Sequence, residues 1–267
     1  MTQLSGKAAV VVGGSSGFGE SIARRFAAEG ARVLIAARGR DKLEAVAKEL
    51  GVESQVCDAS SFDELKALAA SAVERFGRLD VAVNCAGFEH MCPIAELEPD
   101  NVEKMVAVQF TGALYFIQHM ANAMTEGGSI VTMSSLTGTL VAEGYAPYAG
   151  AKAGINHASR IAASEYGAKK VRVNVISPTT VETPMVANFF QIPGFREAIE
   201  AETPMGELPT VDDVTEAVLF LASDASRFVS GENIHIDGGG STRRLPRTEE
   251  VAASIQAAMQ RQSEGQG

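Results

Sequence analysis

Lys7-Ala8-Ala9-Val10-Val11-Val12-Gly13-Gly14-Ser15-Ser16-Gly17-Phe18-Gly19 is the stretch on which the reading of this chain turns. An apolar run of strand length passes directly into a glycine-rich turn. The turn passes into residues 20–29, where Ile22, Ala23 and Phe26 share one helical face and Arg24, Arg25 and Glu29 the other. A run without polar positions suits a central strand covered on both faces, as in a parallel sheet. Glycines at 13, 17 and 19 permit a tight turn, close backbone approach and close packing of the helix. The free N–H groups at the start of such a helix can receive a pyrophosphate. The spacing is GxxxGxG rather than GxGxxG.

Outward from this unit the rhythm repeats. Strands are expected at residues 33–37, 54–57, 79–84, 129–133, 171–176 and 233–237. Helical periodicity lies between them: Leu43, Val46, Ala47 and Leu50; then Leu65, Leu68, Ala72 and Phe76 behind the capping-box pair Ser61/Glu64. Longer helices are expected over residues 100–124 and 147–166. Strands alternating with helices imply right-handed βαβ units and an α/β, Rossmann-like, doubly wound parallel sheet of about seven strands in one domain, residues 1–240. Residues 184–209 read as an irregular apolar loop, and 241–267 as a C-terminal extension with a helix near 249–262.

Composition excludes several classes. A formal net charge of −10 argues against a nucleic-acid partner, which needs clustered Lys and Arg. No apolar run approaches the ~18 residues of a membrane span, and residues 1–7 lack a secretory signal's basic and apolar regions, so a cytoplasmic protein is expected. Cys57, Cys85 and Cys92 form no CxxC pair, and His90, His119, His157 and His235 are scattered, so neither a metal site nor a disulfide is expected.

Tyr148-Ala149-Gly150-Ala151-Lys152 falls within a predicted helix, and a separation of four places both side chains on one face. A tyrosine titrates near 10, and a neighbouring ammonium lowers that value by favouring phenolate. Ser135 lies just beyond the fifth expected strand, placing a hydroxyl at the carboxyl edge of the sheet, where open α/β folds bind ligands.

In this order the pieces resemble the short-chain dehydrogenase/reductase family over about residues 5 to 240: the GxxxGxG turn, Asp58, Asn84-Cys85-Ala86-Gly87, Ser135, Tyr148/Lys152, Ile176-Ser177-Pro178 and Asp237-Gly238-Gly239. The resemblance implies a nicotinamide-dependent oxidoreductase in which Tyr148 is the general acid or base. Lys152 would lower its pKa and hold the nicotinamide ribose, and Ser135 would polarise the substrate oxygen. Gly13, Ser15, Ser16, Gly17, Phe18 and Gly19 would cradle the cofactor, with Asp58 at the adenine, Asn84, Ala86 and Gly87 along its length, and Pro178 and Thr183 near the carboxamide. Three positions depart from the family. Val12 replaces a threonine, Gln109 stands where the fourth catalytic residue is an asparagine that helps hold a relay water, and Thr179 replaces a glycine.

Cofactor choice is read at the end of the second strand. An acidic residue there bonds ribose hydroxyls and repels a 2′-phosphate, but here Ala37 is followed by Arg38, whose guanidinium can clamp a phosphate. NADP(H) is therefore expected, with NAD(H) the alternative. Met185 and Phe189 of the apolar loop, facing Leu136, Leu140 and Tyr145, are expected to enclose a small hydrophobic alcohol or ketone. Two other readings stand beside this one: a 3-oxoacyl thioester reductase, and a nucleotide-binding protein of this fold without turnover. The helices over 100–124 and 147–166 read as apolar on more than one face, with Val102, Met105, Val106, Leu114, Phe116 and Ile117 on the first, which leads to the expectation of a homotetramer. The tail helix, with Val251, Ile255 and Met259 on one stripe, would either clasp a neighbouring subunit or form a flexible polar extension.

Overall fold

Every residue of β1 (Ala8–Val12) is buried, as a strand without polar positions requires. The computed structural model describes residues 2–264; Met1 and residues 265–267, the outermost parts of the N-terminal lead and the C-terminal extension, lie outside the described residues. After β1 come α1 (Gly17–Ala28), β2 (Arg32–Ala37), α2 (Arg40–Leu50), β3 (Glu53–Val56), α3 (Phe62–Phe76) and β4 (Val81–Asn84). The Ser61 side chain accepts from the Glu64 N–H, but the Glu64 carboxylate reaches back to the Asp58 N–H at 2.7 Å, so only half of the expected capping box forms.

The second half runs α4 (Pro99–Val106), a π-helical turn (Ala107–Thr111), α5 (Gly112–Ala123), β5 (Gly128–Met133), α6 (Ala146–Tyr166) and β6 (Val171–Pro178). It continues with α7 (Ala187–Phe190), α8 (Phe195–Glu200), α9 (Val211–Ala222), β7 (Asn233–Ile236) and α10 (Thr248–Glu264). All seven strands pair in parallel, in the order β3-β2-β1-β4-β5-β6-β7. One core layer lies between the sheet and α3, α5 and α6, around Phe116, Leu65 and Met120; the other lies under α1, α2 and α9, around Phe26, Ile22 and Leu43.

Three expectations need correction. The helix expected over 100–124 is interrupted by the π turn, which shifts its phase and points Gln109 inward; uniform periodicity does not reveal such a turn. As expected of a face that covers the sheet, Met105, Phe116 and Ile117 are buried in the chain's own core, while Val106 and Ile161 keep 37% and 49% of their surface exposed. Residues 184–209 are not wholly irregular: α7 and α8 are held by Phe195, stacked on Phe189 at 5.5 Å and edge-on to Phe190 at 5.6 Å. The tail helix turns back onto its own chain. Ser254 Oγ donates to the Gly194 carbonyl at 2.9 Å, and Gly194, at φ +83°, has no room for a Cβ against the α10 backbone.

Candidate active site

The strand order places β1 beside β4, where the direction of winding reverses and the following loops diverge to open a crevice. A cleft of about 620 Å³ lies there, walled by the glycine turn, Ala37, Arg38, Asp58, Ala86 and Gly87, with Thr183 and Met185 at its rim. Close backbone approach shapes its floor. A Cβ on Gly19 would stand 2.2 Å from the Gly13 carbonyl oxygen, and one on Gly13 would stand 2.8 Å from the Cys85 carbonyl carbon. Gly13 also sits at φ +79°, a region L side chains rarely adopt.

Ser16, the N-cap of α1, has an extended backbone and makes no side-chain capping bond. The first N–H groups of that helix therefore have no protein acceptor of the usual kind, and Ser15 to Gly19 line the cleft at that point. The donor set and the space a Cβ would fill fit a pyrophosphate. Asp58 accepts from the Ser60 N–H at 2.9 Å and the Ser60 hydroxyl at 2.8 Å. The Ser60 backbone bond, aided by the hydroxyl and by the charge of Arg38, holds the Asp58 carboxyl below the usual carboxylate range. Arg38 is exposed at the cleft wall and has no ion-pair partner among the described residues. Asn84 does not line the cleft; its buried Oδ1 accepts from the Ala86 N–H at 3.0 Å and so shapes the turn that does. Pro178 is the buried last residue of β6, with Thr183 beyond it at the rim.

The residues expected to react adjoin this cleft, Lys152 lying within electrostatic reach of Cys85 on its wall. α6 carries Tyr148 and Lys152 one turn apart, as their spacing requires. Lys152 is buried, donates from Nζ to the Met133 carbonyl at 2.8 Å and lies 5.5 Å from the Tyr148 ring centroid. Ser135, at the end of β5, accepts from the Thr137 N–H at 3.3 Å and the Thr137 hydroxyl at 3.1 Å. With both bonds arriving at its oxygen, its own proton remains available to donate.

The electrostatics differ from the sequence expectation. Burial pushes the Tyr148 hydroxyl up to about 12, opposed by the nearby Ser135 hydroxyl and assisted by the negative field of Glu89. Burial pushes the Lys152 ammonium down to about 8. Lys152 sits over the ring rather than at the hydroxyl, so desolvation dominates and the expected lowering of the Tyr148 pKa is not seen. At neutral pH the Tyr148 hydroxyl is therefore protonated.

Gln109 occupies the π turn with its Nε2 donating to the Phe88 carbonyl at 2.7 Å and to the Met105 sulfur. Its Oε1 is buried without a partner and is directed at Gly87, where an added Cβ would stand 2.9 Å away. Of the expected substrate walls, Tyr145 stands 6.0 Å edge-on from Tyr148, Leu140 is half-buried, Met185 is exposed at the rim, and Phe189 belongs to the aromatic cluster of α7 and α8. Leu136 is 2% exposed and packs toward Gly240, behind the wall rather than on it.

Sequence reading missed Glu89, whose charge helps to raise the Tyr145 pKa and whose Oε2 is buried without a partner. No motif marks it; its place in the loop after β4, at the carboxyl edge of the sheet, was the available signal. Val108 and Phe88, which also line the cleft, carried no such signal.

The family model described as enoyl-(acyl carrier protein) reductase matches residues 12–241. The D-threitol dehydrogenase of Mycolicibacterium smegmatis is 33% identical over 244 residues, covering 89% of this chain and 94% of that protein. The 3-oxoacyl-(acyl-carrier-protein) reductase FabG of Thermotoga maritima is 31% identical, covering 89% of this chain and 98% of that protein. Among solved structures, a short-chain type dehydrogenase/reductase from Mycobacterium ulcerans superposes with a TM-score of 0.90 at 29% identity, covering 95% of this chain and 98% of that one.

Proposed function

The chain belongs to the short-chain dehydrogenase/reductase family, whose members oxidise CH–OH groups or reduce the corresponding carbonyls with a nicotinamide cofactor, and we propose that it interconverts an apolar secondary alcohol and its ketone with NADP(H). One observation carries the reading: Ser135, Tyr148 and Lys152 converge beside the cleft whose glycine turn fits a pyrophosphate. The bound cofactor would supply or accept the hydride. Ser135 would donate its remaining proton to the substrate oxygen. Tyr148, protonated at neutral pH, would give its proton to the oxygen as the ketone is reduced and recover it when the alcohol is oxidised. Lys152, buried behind the ring, would hold the ribose and reload Tyr148.

Arg38, exposed and without an ion-pair partner among the described residues, supports NADP(H) over NAD(H). The aromatic cluster of Phe189 and Phe195 and the half-buried Leu140 favour an apolar substrate body. Val106 and Ile161, exposed on α4 and α6, support assembly into a homotetramer through these helices. The FabG relative favours a second reading, reduction of a 3-oxoacyl thioester. One panel tests both: oxidation of NADPH and of NADH with cyclic, aromatic and aliphatic ketones and a 3-oxoacyl thioester. Turnover of a ketone with NADPH preferred is expected. Selective turnover of the thioester moves the assignment to the second reading, and no turnover in either direction sinks both.

A further inference from the structure

Glu89 is a half-buried carboxylate whose charge reaches Tyr145 and Tyr148, and it has no cationic partner among the described residues. Two anchors fix it there. On one side, Gln109 Nε2 donates to the carbonyl of Phe88 at 2.7 Å. On the other, the Cys92 N–H donates to the Gly144 carbonyl at 2.8 Å, and Met91 fills the space over Gly144, where a Cβ would stand 2.8 Å from its Cγ. The loop after β4 is thereby tied to the loop that carries Tyr145. Glu89 lies beside the Tyr145 phenol, whose pKa its charge helps to raise, and the Tyr145 ring meets that of Tyr148 edge-on at 6.0 Å. The Glu89 Oε2 is buried without a hydrogen-bond partner.

A buried charged acceptor without a donor costs more than an ordinary unmade hydrogen bond, because its lost hydration is not replaced. Water can fill that role in solution, but a substrate seated against Tyr148 displaces it. The reacting oxygen already has its donors in Tyr148 and Ser135, so Glu89 has nothing to offer a ketone or a simple alcohol at that atom. It needs a donor elsewhere on the same molecule. An ammonium is disfavoured by the positive Lys152 held 5.5 Å from the Tyr148 ring centroid. A hydroxyl donates without adding charge.

We propose that Glu89 is a specificity residue that accepts a hydrogen bond from a second hydroxyl of the substrate, on a carbon next to the reacting one, so that the physiological substrate is a diol or hydroxyketone with an apolar body. This rests on the oxidoreductase reading above and narrows its substrate class. The contact is made alike to substrate and to the transition state at the neighbouring carbon, so its loss falls first on KM.

The test compares trans-cyclohexane-1,2-diol, cyclohexanol and 2-aminocyclohexanol as substrates of the full-length enzyme, with each oxidised cofactor. Wild type is expected to favour the diol over cyclohexanol in kcat/KM by about tenfold or more. Glu89→Gln, which keeps the shape of the side chain, and Glu89→Ala should both bring that ratio toward one. Fluorescence titration with NADPH, which does not touch Glu89, reports whether each variant is folded. A wild-type ratio near one, a ratio that survives in both variants, or a preference for the amino alcohol overturns the Glu89 assignment while leaving the oxidoreductase reading intact. Wild type that turns over none of the three with either cofactor overturns both.

Discussion

At the glycine turn the cleft is walled by backbone: Gly13, Gly17 and Gly19 carry no side chain, and what a ligand would meet are N–H groups at the start of α1. At Tyr148 the wall is made of side chains taken out of water, with Lys152, Tyr145 and Glu89 held at separations set by three different loops and a helix. The first end needs only that nothing protrude, and the fold supplies the rest through the α1 dipole and close strand–helix packing. The second end works because burial changes what each group does. Burial moves Tyr148 and Lys152 in opposite directions, so an acid that holds its proton sits over an amine close to losing one.

This contrast is most sharply tested by Tyr148→Phe. The ring, its packing against Tyr145 and its stacking over Lys152 all remain, and only the transferable proton is lost. Turnover is expected to fall by about 10²–10⁴-fold while NADPH affinity stays within about twofold, because the glycine turn lies elsewhere. Steady-state rates with a fluorescence titration of the cofactor check both halves. Substantial catalysis by the variant would mean that the proton comes from another group.

The difference between the two ends also explains what the sequence made legible. The glycine turn could be read because Gly13, Gly17 and Gly19 are contiguous with the strand and helix they serve, so one local stretch contains the whole device. Tyr148 and Lys152 were legible as a pair because four residues are one helical turn. Their titration was not, since desolvation depends on what covers them, and the cover comes from the ends of β4 and β5 and from the Tyr145 loop. Gln109 was visible as a residue out of pattern, yet its inward aim depends on a π turn that shifts the register without changing composition. Glu89 was invisible for the same reason: an acidic residue in a loop reads as solvated until the chain folds it against Tyr145.

The backbone end has one side chain on which discrimination rests. Arg38→Ala is expected to weaken NADPH more than NADH by about 1.5–3 kcal/mol, roughly ten- to a hundredfold in affinity. Ala37→Asp should then turn preference toward NADH, since a carboxylate at the end of β2 bonds ribose hydroxyls and repels the 2′-phosphate. Paired titrations with the two cofactors decide it. An equal effect of Arg38→Ala on both would make this arginine a bystander.

The side-chain end leaves a signature in stability. From about pH 8 to the ordinary lysine value near 10.4 the unfolded chain holds a proton that folded Lys152 has released, so this site's contribution rises with pH. Below about 8 both states carry the charge, and its burial weighs against folding. Tyr148 acts in the opposite sense, from about 10 to about 12, where the folded chain keeps a proton that the unfolded one loses. Lys152→Met removes only the first effect. Denaturant unfolding should show wild-type stability, relative to this variant, rising by about 1 kcal/mol between about pH 7.5 and about pH 9. A flat difference would mean that Lys152 keeps an ordinary pKa and that its burial is compensated.

Gln109→Asn is the smallest of these perturbations and the one that asks whether the two ends communicate. Gln109 stands between them: Nε2 holds the Phe88 carbonyl, hence the loop leading to Glu89, while Oε1 is directed at Gly87 on the cofactor cleft. Asparagine has one methylene fewer. In a buried position that costs about 1 kcal/mol of stability, and it draws the amide back from the Phe88 carbonyl. If the longer amide serves only to hold this loop, kcat should change by less than about threefold, or rise, while KM for a hydroxylated substrate increases as Glu89 loosens. If Gln109 instead carries a proton path between Lys152 and solvent, kcat should collapse by about a hundredfold with the melting temperature nearly unchanged. The position of Oε1 argues for the first outcome. A relay atom must exchange partners during the reaction, whereas here it is the nitrogen, not the free oxygen, that makes the bond fixing the loop.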